Sequence, residues 1–282
     1  MIIINNEKCN GCKICTDICH EHCMYIENNL ITIRYDQCST CGQCIAICPR
    51  QALTWDNVQS TAFNKEVLPS DKQVDELLKE RRTVRDFSDR KIDKILLGVI
   101  INYGIYAPAH SFDFRAIIVD DDEIKDLIDK ILMQVTLRIY NLIRYSILQK
   151  ISRLISPVLE AEYLKAKSKL SVVVERKTVF PTFPSAFILI IADKRVPLSL
   201  ESAQYALYNM NLYSQTKGLG CRNLVGNQGL LNKNKSFRKK LGLKKNERIC
   251  GMMGIGYAKF KFKNKVEGKK MNIQWNGIQK EA

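Results

Sequence analysis

Cys9, Cys12, Cys15 and Cys19 recur 29 residues later as Cys38, Cys41, Cys44 and Cys48, so the pattern C-x2-C-x2-C-x3-C occurs twice, the second time followed by Pro49. Thiols at such close spacing converge on an iron–sulfur cluster, and a cluster moves single electrons. The same displacement matches apolar positions: Ile4 with Ile33, Ile18 with Ile47, Met24 with Leu53 and Ile26 with Trp55. A small domain of two similar halves about a pseudo-two-fold axis is therefore expected. Zinc sites favour separated pairs of cysteines, often with histidine, and fit this spacing poorly. A disulfide framework fits less well still, since only the short apolar run at residues 2–4 precedes the first cysteine and nothing there resembles a secretory segment.

The duplicated run resembles that of ferredoxins carrying two [4Fe–4S] clusters, in which the fourth cysteine of each run serves the other cluster. That resemblance assigns Cys9, Cys12, Cys15 and Cys48 to one cluster and Cys38, Cys41, Cys44 and Cys19 to the second. His20 stands where the first run would have proline. Cys23 maps onto Ala52 and reads as a small buried residue rather than a ligand.

The chain has 282 residues, enough for this module, expected over residues 1–57, and one larger domain over 70–282. The formal charge is +15, and twelve lysines lie between Lys233 and Lys270. No nucleic-acid recognition motif accompanies them, so a solvated basic face that could also meet an anionic cofactor is expected rather than a nucleic-acid surface. Residues 127–155 are strongly apolar at helical spacing. Lys130, Arg138, Arg144, Lys150 and Arg153 interrupt them, which predicts a long amphipathic helix buried on one side and no membrane span. A basic helix lying on a membrane surface is the weaker alternative. A cytoplasmic protein is the expectation.

In the larger domain, Ser70 and Gln73 have the spacing of a capping box ahead of an apolar stripe at Val74, Leu77 and Leu78. A second helix is predicted over 92–106 with Ile92, Ile95, Leu96, Val99 and Tyr103 inward. Buried strands are predicted over 116–120, 186–192 and 249–257, and a helix over 199–217 ending at Gly218. The alternation implies an α+β or α/β layered fold.

Four segments in order carry a resemblance. Residues 81–87 (RRTVRDF) look like the opening RRSxRxF of the FMN-dependent nitroreductase family. Residues 107–110 (APAH) resemble its APSxxN segment, 217–221 (KGLGC) its GLGxC, and 254–257 (GIGY) its late LGYP. The resemblance implies an α+β chain: a small bacterial-type ferredoxin domain, then a three-layer α/β/α nitroreductase-like domain. It also implies a homodimer with FMN at the subunit interface. Arg81, Arg82 and Thr83 would grip the flavin phosphate, with Lys261 or Lys263 assisting, because guanidinium and ammonium groups neutralise a dianion. Arg85 would lie near the pyrimidine end of the ring, and the backbone of Val225 and Gly226 near flavin N5. His110 or Ser111 would stand in for the asparagine that the segment lacks.

The function so implied is an iron–sulfur flavoprotein oxidoreductase. Electrons would pass from the clusters to FMN and on to a small organic acceptor such as a nitro compound or quinone. No Rossmann fingerprint is present, since Gly251, Gly254 and Gly256 run in the wrong order. The expected donor is a ferredoxin, or NAD(P)H docked directly on the flavin. The alternative is a non-catalytic electron carrier or redox sensor whose second domain has lost its flavin.

Overall fold

The computed structural model describes residues 1–28, 30–109, 113–268 and 270–275. The amino-terminal region contains β1 (Ile2–Ile4), α1 (Ile14–Asp17), β2 (Met24–Glu27), β3 (Leu30–Ile33), α2 (Gln43–Ile47) and β4 (Leu53–Trp55). Shifting the first three elements by 29 residues lands them on the last three. Strand β1 pairs antiparallel with β4 and β2 with β3, in registers that include Ile2 opposite Trp55 and Ile26 opposite Ile31. Backbone conformation repeats too. Positive φ occurs at Gly11 and Thr40, Lys13 and Gly42, His22 and Gln51, and Asn28 and Asn57. The duplicated turns, and not only the ligands, thus have the same geometry. The core is small: Ile2, Met24, Ile31, Ile33 and Leu53 pack with Cys15, Cys23 and Cys44. Ile26, Ile47 and Trp55, matched as apolar pairs in the sequence, lie at its rim and are partly exposed.

Helix α3 (Asp71–Glu80) begins with the expected capping box: Gln73 N–H donates to Ser70 Oγ, and Ser70 N–H donates to Gln73 Oε1 at 2.8 Å. Its stripe is less buried than expected, with Val74 and Leu78 both exposed. Helix α4 (Lys94–Asn102) starts later than residue 92, because the Asp93 carboxylate accepts from the N–H groups of Ile95 and Leu96 and caps it there. Its buried face also differs. Leu97 and Ile100 point inward, whereas Ile95 is 79% exposed and Val99 and Tyr103 are partly so. The helix is apolar almost all round, so periodicity does not select a face. A 3-10 turn at Tyr103–Tyr106 ends the run.

The remaining elements are β5 (Arg115–Val119), α5 (Asp122–Ile143), α6 (Ser146–Ile155), α7 (Pro157–Arg176), β6 (Ala186–Asp193), α8 (Ser199–Gln215), β7 (Gly220–Asn223), α9 (Asn227–Lys233), α10 (Lys235–Lys240) and β8 (Glu247–Gly256). Strands β5 to β8 form one antiparallel sheet in the order β5-β6-β8-β7. Strand β6 explains the layering, because both its faces are apolar. Ala186, Ile188 and Ile190 pack with Leu97 and Ile100 of α4 and Ala203, Leu207 and Met210 of α8. Phe187, Leu189 and Ile191 pack with Ile128 and Leu132 of α5, Leu231 of α9 and Phe237 of α10. Helices on both sides of a sheet give the expected α+β, three-layer architecture. Strand β5 is an edge and only partly buried, unlike the buried strand predicted over 116–120.

Residues 127–155 do not form one helix. Helix α5 ends at Ile143, α6 covers Ser146–Ile155, and Pro157 opens α7 behind the cap of Ser156, whose Oγ accepts from Val158 N–H at 3.1 Å. Among the described residues of this segment, apolar burial is confined to the early turns of α5, at Ile128, Ile131 and Leu132, while Leu142, Ile147 and Leu154 are exposed. Among the described residues no helix is long and apolar enough to cross a membrane.

Candidate functional site

Both short helices of the amino-terminal region begin directly after a left-handed residue, Lys13 (φ 65°) for α1 and Gly42 (φ 74°) for α2. This reversal wraps each cysteine run around a hollow. Cys9, Cys12 and Cys15 line one cavity together with Cys48. Cys38, Cys41 and Cys44 line another together with Cys19 and Cys23. The crossing of the fourth cysteines follows from the pseudo-two-fold arrangement. Backbone N–H groups also point at sulfur: Thr40 N–H donates to Cys38 Sγ at 3.4 Å and Ala52 N–H to Cys48 Sγ at 3.3 Å. Such contacts offset the charge of a metal-bound thiolate. Four thiols of the duplicated motif in each hollow, with a backbone donor to one of the sulfurs, suit a [4Fe–4S] cluster. Among the described residues, no three His, Cys, Asp or Glu side chains are grouped closely enough to hold a single metal ion. Burial pushes the Cys44 thiol up to about 11 and the Cys23 thiol up to about 12. Metal binding there must displace protons.

The arginine-bearing segment of the larger domain is held by backbone pairing on both sides. Thr83 pairs in parallel with Cys221 of β7, and Phe87 pairs antiparallel with Ala258 just after β8. Val84 N–H donates to the Cys221 carbonyl at 3.1 Å, Ser88 N–H to Tyr257 at 2.8 Å, and Phe87 N–H to Thr182 Oγ1 at 2.5 Å. Two glycines make room for it. A Cβ on Gly220 would lie 2.2 Å from Val84 Cγ2, and one on Gly256 2.7 Å from Phe87 Cδ1.

Beside this segment opens a cleft of about 640 Å³, lined by Arg82, Arg90, Asn211, Gln215, Lys217 and Lys261 among others. Its charge is mainly positive, with Glu80 the one acid among the described residues that line it. Arg82 is oriented by donating from Nη1 to the Arg81 carbonyl at 2.8 Å. Arg90 stacks over the Tyr257 ring at 3.9 Å. Asn211 Oδ1 and Gln215 Nε2 are buried with no hydrogen-bond partner among the described residues. Orphaned buried polar atoms are costly unless a ligand or water answers them. A polar, anionic ligand fits this cleft.

The predicted flavin contacts are not all brought to one place. Arg82 and Lys261 line the cleft; Arg81, Thr83, Arg85 and Lys263 are not among its lining residues. Arg85 is exposed and belongs to a second basic group that the sequence did not reveal. There Arg222 of β7 stacks on Phe180 at 5.3 Å, and Arg176 donates to the carbonyls of Thr178 and Val179 at 3.2 and 3.3 Å. Burial, followed by repulsion from Arg85 and Arg176, lowers the pKa of Arg222. Arg222 adjoins the Cys221 motif position in sequence, but no local pattern marks Arg176. Val225 is exposed, and Gly226, at φ 94°, precedes α9. On either side of them Asn223 Oδ1 and Gln228 Oε1 are also buried without partners among the described residues. His110 and Ser111 lie outside the described residues.

Residues 31–54 match the 4Fe-4S binding domain profile, and residues 78–257 that of the nitroreductase family. A ferredoxin of Rickettsia felis is 34% identical over 55 residues, covering 19% of this chain and 50% of that protein. The chain spans about half the length of the curated relatives it matches. A nitroreductase of Desulfitobacterium hafniense, solved with bound FMN, superposes with a TM-score of 0.53 at 16% identity, covering 71% of this chain and 96% of that one. An iodotyrosine deiodinase solved with FMN and 3-iodo-L-tyrosine gives 0.53 at 20% identity, covering 72% and 98%. At these identities the two structures establish the shared fold. The sheet and the arginine segment joined to β7 lie within the matched region, as does most of the cleft lining, so this chain belongs to the nitroreductase family, with a ferredoxin-type 4Fe-4S domain ahead of it in sequence.

Proposed function

We propose that the chain is an FMN-dependent iron–sulfur oxidoreductase in which two [4Fe–4S] clusters exchange electrons with a flavin that reduces a small organic acceptor. The observation that carries this is the crossed grouping of the eight repeated cysteines around two cavities, in a chain whose larger domain is a nitroreductase. Cys9, Cys12, Cys15 and Cys48 hold one cluster, and Cys19, Cys38, Cys41 and Cys44 the other. FMN is supported by its presence in the nitroreductase and the deiodinase that share the fold. Flavin, when bound, supplies the junction between single-electron and hydride chemistry.

The chain's own residues position and neutralise. Arg82 and Lys261, with Arg81, Thr83 and Lys263 nearby in sequence, answer the charge of a phosphate. Arg85, with Arg222 beside it, favours negative charge at the ring's pyrimidine end. The backbone N–H groups of Val225 and Gly226 serve the N5 side. A second copy of the chain completes the site, and exposed Leu142, Ile147 and Leu154 supply apolar surface for the contact. The donor is a reduced ferredoxin or NAD(P)H, and the acceptor a nitro compound, quinone or similar molecule.

Anaerobic reconstitution with iron, sulfide and FMN tests this reading. The expected product holds about eight irons per chain, from two four-iron clusters, and one tightly held flavin. Protein that takes up clusters but no FMN would favour a simple electron carrier instead.

A further inference from the structure

We propose that Cys23 is a reserve ligand of the second cysteine site, placed to take over the iron position of Cys19. The inference rests on the cluster assignment above and concerns a thiol that lies outside the duplicated motif.

Cys23 is 2% exposed and lines the same cavity as Cys19, Cys38, Cys41 and Cys44. Its Sγ lies 3.4 Å from Cys19 Sγ. Two thiolates on one tetrahedral metal, each bonded at about 2.3 Å, stand about 3.7 Å apart, so exchanging one for the other needs only a small side-chain movement. The backbone holds Cys23 in this position. After α1 the chain turns at His22, whose N–H donates to the Cys19 carbonyl at 3.0 Å, and the Cys23 carbonyl accepts from Arg34 N–H at 2.8 Å. Residue 23 is thereby brought back against residue 19.

The other half of the domain is an internal control. There Gln51 N–H donates to the Cys48 carbonyl at 3.1 Å, closing the equivalent turn, and the equivalent position is Ala52, 1% exposed. The same buried position therefore accepts a methyl group in one half and a thiol in the other. Packing alone does not call for sulfur, and the thiol stands only in the hollow shared by Cys19 and Cys38.

The exchange is a ligand substitution. The Cys23 thiol gives up its proton as its sulfur bonds to iron, and the iron–sulfur bond of Cys19 breaks as that sulfur takes a proton. No oxidation state changes. The second site should then survive loss of its crossing ligand, whereas the first, with Ala52 in place of a spare thiol, should not.

The test uses the full chain, reconstituted anaerobically, with iron and sulfide counted per chain and the reduced clusters examined by electron paramagnetic resonance. Cys19→Ala should keep the iron content of the parent, with an altered signal from one cluster. Cys48→Ala should lose about half of its iron, one of two clusters, and so should the double variant Cys19→Ala/Cys23→Ala. Cys23→Ala alone should keep both clusters. Equal iron loss in Cys19→Ala and Cys48→Ala would overturn the proposal. So would equal retention in Cys19→Ala and the double variant, which share any folding defect caused by losing Cys19. A parent chain that takes up no cluster at all would overturn the cluster assignment itself, and this inference with it.

Discussion

Thr83 lies beside Cys221 in a parallel backbone pair, with Val84 N–H bonded to the Cys221 carbonyl at 3.1 Å. This contact makes the arginine segment a short extension of the sheet edge at β7 and fixes the positions of Arg82 and Arg85. It depends on Gly220, where any side chain would meet Val84. Gly220→Ala should therefore cost about 1–3 kcal/mol of stability through overpacking. It should also loosen flavin binding, and chemical denaturation together with a flavin titration would measure both effects.

Arg82 and Arg85 should fail differently. Arg82→Ala should weaken FMN retention by about 1.5–3 kcal/mol, the range for a lost charge-assisted hydrogen bond. Arg85→Ala should retain FMN better but lower its reduction potential, because reduced flavin loses a counter-charge. Both should keep their cluster iron. Equilibrium dialysis and redox titration separate the two outcomes, and equal loss of FMN in both variants would contradict the assigned roles.

Asn211 offers a third check, since it lines the cleft and its Oδ1 is buried and unanswered among the described residues. Replacing an orphaned polar group with an apolar one of similar size is close to neutral for the folded chain. Asn211→Leu should accordingly leave the flavin-free melting temperature unchanged or raised, yet reduce the stabilisation gained on adding FMN. Thermal melts with and without FMN measure the difference.

A pH dependence of stability follows from Arg115 and Glu247, which tie β5 to β8 through two hydrogen bonds of 2.9 Å. The hydrogen bonds from Arg115, ahead of other influences, hold the Glu247 carboxyl at about 2 against its ordinary 4.5. A depressed carboxylate stabilises the fold fully above the unfolded value and loses that contribution as pH falls from about 4.5 towards 2. Arg115 is partly exposed, so Glu247→Gln should cost about 1–2 kcal/mol at neutral pH after screening. The difference from the parent should shrink on acidification across that window, as read by denaturant midpoints.

The cysteine runs, the capping box at Ser70 and the apolar strand β6 were legible in the sequence because each is a local pattern with one physical meaning. The inward face of α4 was not, since a helix apolar all round has no periodic signal. Nor was the break after Ile143, where Arg144 and Tyr145 carry no breaker residue. Arg176 and Arg222 come near enough to repel each other only in the folded chain, a tertiary relation that spacing does not encode. The split between the Arg82 cleft and the Arg85 group has the same origin.

Anaerobic stopped-flow reduction by a reduced ferredoxin, followed separately at cluster and flavin wavelengths, tests the central claim of cluster-to-flavin transfer most directly. Cluster absorbance should bleach first and recover as the flavin bleaches. Cys41→Ala, with its second cluster removed and its FMN retained, should slow flavin reduction by the protein donor. Flavin bleaching at the same rate in both proteins, or clusters that stay reduced beside oxidised flavin, would contradict that claim.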